Sequence, residues 1–186
     1  MRELALHILD VLQNAREAGA TRVELVVEED PAEDRLVIEV RDNGKGMDRQ
    51  TLQNVLDPFF TTRKTRHVGL GLPLFAAAAE QCGGGLKIDS EPGRGTTVRA
   101  VFGLGHIDRA PLGDLAATIL SFLLGEPACD LVYTRRRGDR SYRLDTEEIR
   151  GELGPVPLSH PAVREWLECY IKEGEQAVRG SASESP

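Results

Sequence analysis

Apolar residues Leu4, Ile8, Val11, Ala15 and Ala18 recur near the start of the chain at steps of three and four. That is the period of an amphipathic helix, and Gly19 stands where such a helix would end. His7, Asp10 and Asn14 repeat at the same steps, which predicts three polar side chains on one stripe. From Thr21 the pattern changes to alternation: Val23, Leu25 and Val27, then, after an acidic turn containing Pro31, the run Leu36-Val-Ile-Glu-Val. These segments read as two strands, antiparallel neighbours. The tight loop Asp42-Asn-Gly-Lys-Gly-Met follows; Asp48 is placed to cap a short helix through about Leu56, and Asp57-Pro58 ends it.

Residues 57–69 form a polar, basic, Thr-rich connection, expected to be mobile. Gly71 to Cys82 is rich in Leu and Ala, tolerates Pro73 only in a first turn, and is stopped by Gly83-Gly-Gly, so it predicts a helix whose N-terminus faces that connection. Leu86-Lys-Ile-Asp-Ser and Thr96-Thr-Val-Arg-Ala-Val-Phe predict a hairpin joined by Glu91-Pro-Gly-Arg-Gly. A first unit, residues 1–104, closes there. A second, residues 105–178, has a helix near Leu112 to Leu124, a hairpin turning at Gly138-Asp139 and a helix from Pro161 to about Gln176. The small, polar residues 179–186 are expected to be a disordered tail.

Charge and cysteine content narrow the class. A formal net charge of -7 argues against nucleic-acid or anionic-membrane partners. The one basic run, Arg135-Arg136-Arg137 with Arg140 and Arg143, reads as a solvated hairpin face. Three cysteines, Cys82, Cys129 and Cys169, lie far apart without a C-x-x-C pair and read as reduced thiols in a cytoplasmic protein. No apolar run approaches the ~18 residues of a membrane span.

The candidate chemistry is a nucleotide site of unusual design. No G-x-x-x-x-G-K-[ST] loop occurs, because Gly44-Lys45 is followed by Gly46, and no G-x-G-x-x-G follows a strand. Instead four segments stand in order: Asp10-x-x-x-Asn14, Asp42-x-Gly44-x-Gly46-Met47, Phe59-Phe60-Thr61-Thr62 and Gly69-Leu70-Gly71-Leu72, followed by Gly95-Thr96. Together they resemble the histidine-kinase-like ATPase (GHKL, Bergerat-fold) superfamily, most of all the catalytic domains of sensor histidine kinases, over about residues 4 to 103.

That resemblance implies ATP and Mg²⁺ as ligands. It also implies a two-layer α/β sandwich, a mixed sheet covered on one face by helices, here with a small C-terminal α+β extension. Asn14 would coordinate Mg²⁺, and Asp10 sits where hydrolysing members carry a water-activating carboxylate, although Asp reaches less far than the more usual Glu. Asp42 would accept a hydrogen bond from the adenine amino group, which favours ATP over GTP. Gly44 and Gly46 would let backbone approach the base and sugar. Gly69 and Gly71 precede a helix whose free N–H groups suit phosphate oxygens. In the lid, Arg63 and then Lys64 are the candidates for the terminal phosphate. Thr96 would help position the nucleotide.

The chain departs from a sensor kinase in its histidines. His67 lies in the lid, His106 and His160 sit near loops, and His7 lies beside a helix carboxylate, so none sits in a heptad-patterned helix as a phosphoacceptor. The Asn-bearing helix begins almost at Met1, without an acceptor hairpin before it, so the chain reads as something other than a self-contained histidine kinase. Three readings follow: an ATPase or kinase acting on a separate partner, an ATP-gated switch with little turnover, and a structural protein that has lost the nucleotide, against which the intact boxes argue. Trp166, Leu167, Tyr170 and Ile171 at helical spacing would serve a core or an interface, to a protein partner or a second copy, in the C-terminal unit.

Overall fold

In the computed structural model, which describes residues 3–57, 70–125 and 127–180, the first helical period becomes α1 (Leu4–Glu17), burying Leu4, Ile8, Val11, Leu12 and Ala15. The alternating segments become β1 (Arg22–Asp30) and β2 (Arg35–Asp42), antiparallel, with Val27 opposite Ile38. Helix α2 (Arg49–Asn54) starts at the expected cap, where Asp48 accepts from the Thr51 N–H at 2.7 Å, and stops two residues short of Leu56. Then follow α3 (Gly71–Gln81), β3 (Gly85–Glu91) and β4 (Gly95–Gly103). The C-terminal segment supplies α4 (Leu115–Leu123), β5 (Asp130–Arg137), β6 (Arg140–Asp145), α5 (Thr146–Leu153) and α6 (Pro161–Arg179).

All six strands form one mixed sheet in the order β3-β4-β2-β1-β5-β6. β5 lies parallel to β1, with Leu25 opposite Tyr133, so the strands from beyond Gly105 continue the sheet of the first unit. Alternation then selects the buried face: Val23, Leu25 and Val27, Leu36, Ile38 and Val40, Val98, Ala100 and Phe102, and Leu131 and Tyr133 all point into one core. Helices α3, α1, α4 and α6 lie across that face in turn, α3 over β3 and β4 and α6 over β5 and β6. The two-layer sandwich is as the sequence implies. Among the described residues no helix is long and apolar enough to cross a membrane.

Two features, α5 and Arg135, differ from the sequence reading. Helix α5 is polar and follows β6 without a turn, so it carries no apolar period to announce it; Asp145 caps it through the Glu147 N–H. Arg135 does not lie on a solvated face. Strand alternation puts it on the core side, fully buried, with its guanidinium 2.9 Å from Glu29 and 3.4 Å from Glu175, and Tyr133 donating its hydroxyl to the same Glu175. The neighbouring Arg136, Arg137 and Arg143 face acids, Glu28, Glu29 and Asp145, respectively. The aromatic set on α6 divides: Leu167 and Ile171 are buried, while Trp166 and Tyr170 stack on one another at 5.1 Å and remain exposed.

Candidate functional site

Asp10 and Asn14 occupy successive turns of α1, both half-buried. Asp10 meets the start of α3: a Cβ placed on Gly71 would lie 3.3 Å from its carboxylate oxygen Oδ2, so glycine permits this close approach. The N-cap residue of α3, Leu70, makes no side-chain cap hydrogen bond, and Pro73 contributes no N–H to the first turn. Leu70 is exposed and Leu72 packs against the core, so the glycine box alternates between surface and interior.

His7 is not part of this polar stripe. Its ring is buried and stacks on Phe75 of α3 at 5.1 Å, nearly parallel. Burial holds the imidazole neutral, its pKa pushed down to about 4. Its stacking on Phe75 packs α1 against α3.

The C-terminal end of α1 meets the loop after β2. Lys45 N–H donates to the Ala18 carbonyl at 2.9 Å, and Gly93 N–H donates to the Lys45 carbonyl at 2.7 Å, so the loop is threaded between α1 and the β3–β4 turn. The glycines serve this threading. A Cβ on Gly44 would sit 2.9 Å from both the Ala18 carbonyl oxygen and Asp42 Oδ1, and one on Gly46, at φ 66°, would collide with the Glu91 carbonyl. Asp42 accepts from the Gly44 N–H at 2.8 Å. Burial pushes its carboxyl above the ordinary carboxylate value, against the Gly44 and Thr96 N–H groups that pull the other way.

Asp42 stands opposite Thr96 in the β2–β4 register. Thr96 Oγ1 is 2.9 Å from Ser90 Oγ, and that hydroxyl also accepts from the Met47 N–H at 2.8 Å. Two residues of this assembly went unnoticed in the sequence. Ser90 ties Met47 to Thr96. Asn43 clamps the start of β1, accepting from Thr21 and Arg22 N–H groups at 2.9 and 3.1 Å. Asn43 carries a signal in hindsight, since an Asp-Asn-Gly turn offers a side chain that binds backbone; Ser90, an ordinary strand residue, carries none. Asp10 thus meets Gly71 of α3, while Asp42, Gly44, Gly46, Met47 and Thr96 come together around the loop after β2; Asn14 lies on α1 between Asp10 and Ala18, Leu70 is exposed, and Leu72 packs against the core. Phe60, Thr61, Thr62, Arg63, Lys64 and Gly69 lie outside the described residues.

A family model described as "Histidine kinase-, DNA gyrase B-, and HSP90-like ATPase" matches residues 2–106, more than half of the chain. The chain belongs to this ATPase family. Similar proteins include a putative sensor protein of Shewanella frigidimarina, 34% identical over 54% of this chain and 16% of its own length. Sensor kinase CckA of Brucella abortus is 40% identical over 37% of this chain and 7% of its own, and sporulation kinase C of Bacillus subtilis 31% over 52% and 22%. The chain therefore corresponds to a minor part of each of these proteins. Among solved structures, the N-terminal domain of a DNA repair protein matches with a TM-score of 0.55 at 15% identity, covering 78% of this chain and 53% of that one, a likeness of fold alone. Membership of this family supports an ATP-binding domain over residues 2–106, the segment that carries Asp10, Asn14, Asp42 and the start of α3.

The donor set fits such a ligand. Among the described residues, no three His, Cys, Asp or Glu side chains converge as a metal cage. Asn14 and Asp10 offer hard oxygen atoms, the kind Mg²⁺ prefers when it keeps several waters and shares a phosphate.

Proposed function

We propose that this chain binds Mg-ATP between α1, α3 and the β2 loop, and hydrolyses it or passes its terminal phosphate to a separate partner protein. The observation that carries the reading is the close approach of the Asp10 carboxylate to the N-terminus of α3 at Gly71. An N-terminus of this kind attracts phosphate oxygens. A carboxylate at the same place repels them, unless a cation lies between. Bound Mg²⁺ would supply that charge neutralisation, with Asn14 as its protein ligand. Asp10 would then hold and deprotonate the attacking water or hydroxyl.

At the other end, Asp42 would accept from the adenine amino group, with Thr96 beside it and Gly44, Gly46 and Met47 flanking the base. Arg63 or Lys64, with Phe60, Thr61, Thr62 and Gly69, would close on the phosphates. Residues 105–178 would present a surface to the protein partner or to a second copy, and the setting would be signal transduction in the cytoplasm, consistent with relatives named as sensor proteins and kinases.

A second reading rests on a specific residue. Asp10 stands where reach matters, and Asp is one methylene shorter than Glu, so an ATP-gated switch with little turnover is the alternative. Terminally labelled ATP with Mg²⁺ separates them. Binding with phosphate release that Asp10→Asn lowers by about a hundredfold or more fits an ATPase with Asp10 as base. Binding without release fits a partner-dependent kinase or a switch, and absence of binding removes both.

A further inference from the structure

Both ends of α1 are gripped by one stretch of the C-terminal segment. At its start, the Leu4 and Ala5 N–H groups, which have no partner within the helix, donate to the Pro111 and Leu112 carbonyls at 2.9 and 2.8 Å. Gly113, at φ 81°, lies so close to Glu3 that a Cβ there would collide with its carboxylate. At the far end, Arg16 donates to the Phe122 carbonyl, in the last turn of α4, and its guanidinium carbon sits 4.3 Å from the centre of the Phe122 ring. A cation at the carbonyl end of a helix, over an aromatic face, is favourable on both counts. Gly125 completes the seat, since a Cβ there would strike Arg16 Nη1.

We propose that residues 111–125 form a bracket that sets the pose of α1, and that Arg16 is its positioning residue for Asn14. Arg16 lies two residues beyond Asn14, about 200° around the helix, so it faces α4 and not the candidate site. It acts on the site only through α1. On the opposite side the same helix end is held by Lys45 donating to Ala18. Releasing Arg16 removes the tie of the last turn of α1 to α4. The Asn14 amide then loses its fixed place relative to Gly71 and the phosphates, a loss felt by a metal bridge more than by the adenine contact at Asp42. The bracket thereby connects the C-terminal segment to the ATP site through α1.

This inference rests on the ATP reading, and its test separates the two. In the full chain, Arg16→Ala raises the Kd for Mg-ATP about tenfold, while the Kd for ATP in excess chelator moves less than about twofold. Arg16→Lys, which keeps charge and a donor, recovers most of the loss. Gly125→Ala displaces only the tip of a flexible side chain, so the fold persists; it weakens Mg-ATP binding in the wild-type background and has no further effect beside Arg16→Ala. Amide exchange follows the helix without any nucleotide: residues 12–18 lose protection in Arg16→Ala, and the sheet keeps its own. Unchanged Mg-ATP affinity in Arg16→Ala, or equal losses with and without Mg²⁺, overturns the proposal. If wild-type protein binds no ATP, the functional reading fails, and unaltered exchange over residues 12–18 would then dispose of the bracket as well.

Discussion

Asp42 illustrates how a single residue can be costly to the fold and useful to a ligand. Its carboxyl is half-buried, and burial outweighs the two backbone N–H groups that favour the charged form. The folded state therefore holds the proton more tightly than the unfolded chain. Stability falls as pH rises from the unfolded carboxylate value, about 3.9, through the raised folded one, and stays low above it. Asp42→Asn keeps an oxygen for the Gly44 N–H and removes the charge. It is expected to melt at or above the wild-type temperature at pH 7, with the advantage shrinking as pH falls into the carboxylate range, and to bind ATP at least about tenfold more weakly. Thermal melts across pH and an ATP titration check this; a variant less stable than wild type at pH 7 would show that the hydrogen bonds, not burial, dominate. The close approaches at Gly44 and Gly71 were legible in the sequence, because glycine lets backbone pass where a Cβ would be crowded. For His7, polar spacing on a helix does not say which neighbour fills the adjoining groove, here Phe75. Ser90 and Asn43 act through backbone partners that only the folded register brings near.

Among the elements, period and turn chemistry located α1, β1, β2, α3, β3 and β4 to within about three residues, because their apolar positions repeat with the period of the element. What periodicity cannot register is which way a strand turns when charged residues occupy both faces. In β5 the run Arg135-Arg136-Arg137 looks uniformly solvated, yet parallel pairing with β1 sets Arg135 beside Val27 on the inner face, where it donates to the Val27 carbonyl at 3.2 Å. There it sits between Glu29 on β1 and Glu175 on α6, and it links the sheet to the last helix. Removing the cation leaves two carboxylates in the interior without it. Arg135→Met is accordingly expected to destabilise the protein by about 3–5 kcal/mol, read from denaturant unfolding, whereas Arg136→Met, on the exposed face, costs less than about 1 kcal/mol. A loss of similar size in both variants would mean that the buried network contributes only packing.

At the scale of the whole molecule, the division near residue 105 that the pattern of elements suggests meets a sheet that crosses it. β1 is an interior strand, with β2 on one side and β5 on the other, and α4 lies on α1, the helix that carries Asp10 and Asn14. Cutting the chain after Leu104 would uncover the β5 edge of β1 along Val23, Leu25 and Val27, and would remove the buried Leu115, Ile119, Phe122, Leu131 and Tyr133 from the common core. Exposed apolar surface beside an unpaired strand edge is the combination that drives edge-to-edge association. Residues 1–104 alone are therefore expected to aggregate or to unfold without a cooperative transition, although they span nearly all of the residues matched by the family model. Circular dichroism melts and sedimentation of the truncated protein beside the full chain decide this. A soluble fragment with a sharp melt, binding ATP as the full chain does, would instead make the C-terminal segment an appendage, and any partner docking on it would have no route through the sheet to the ATP site.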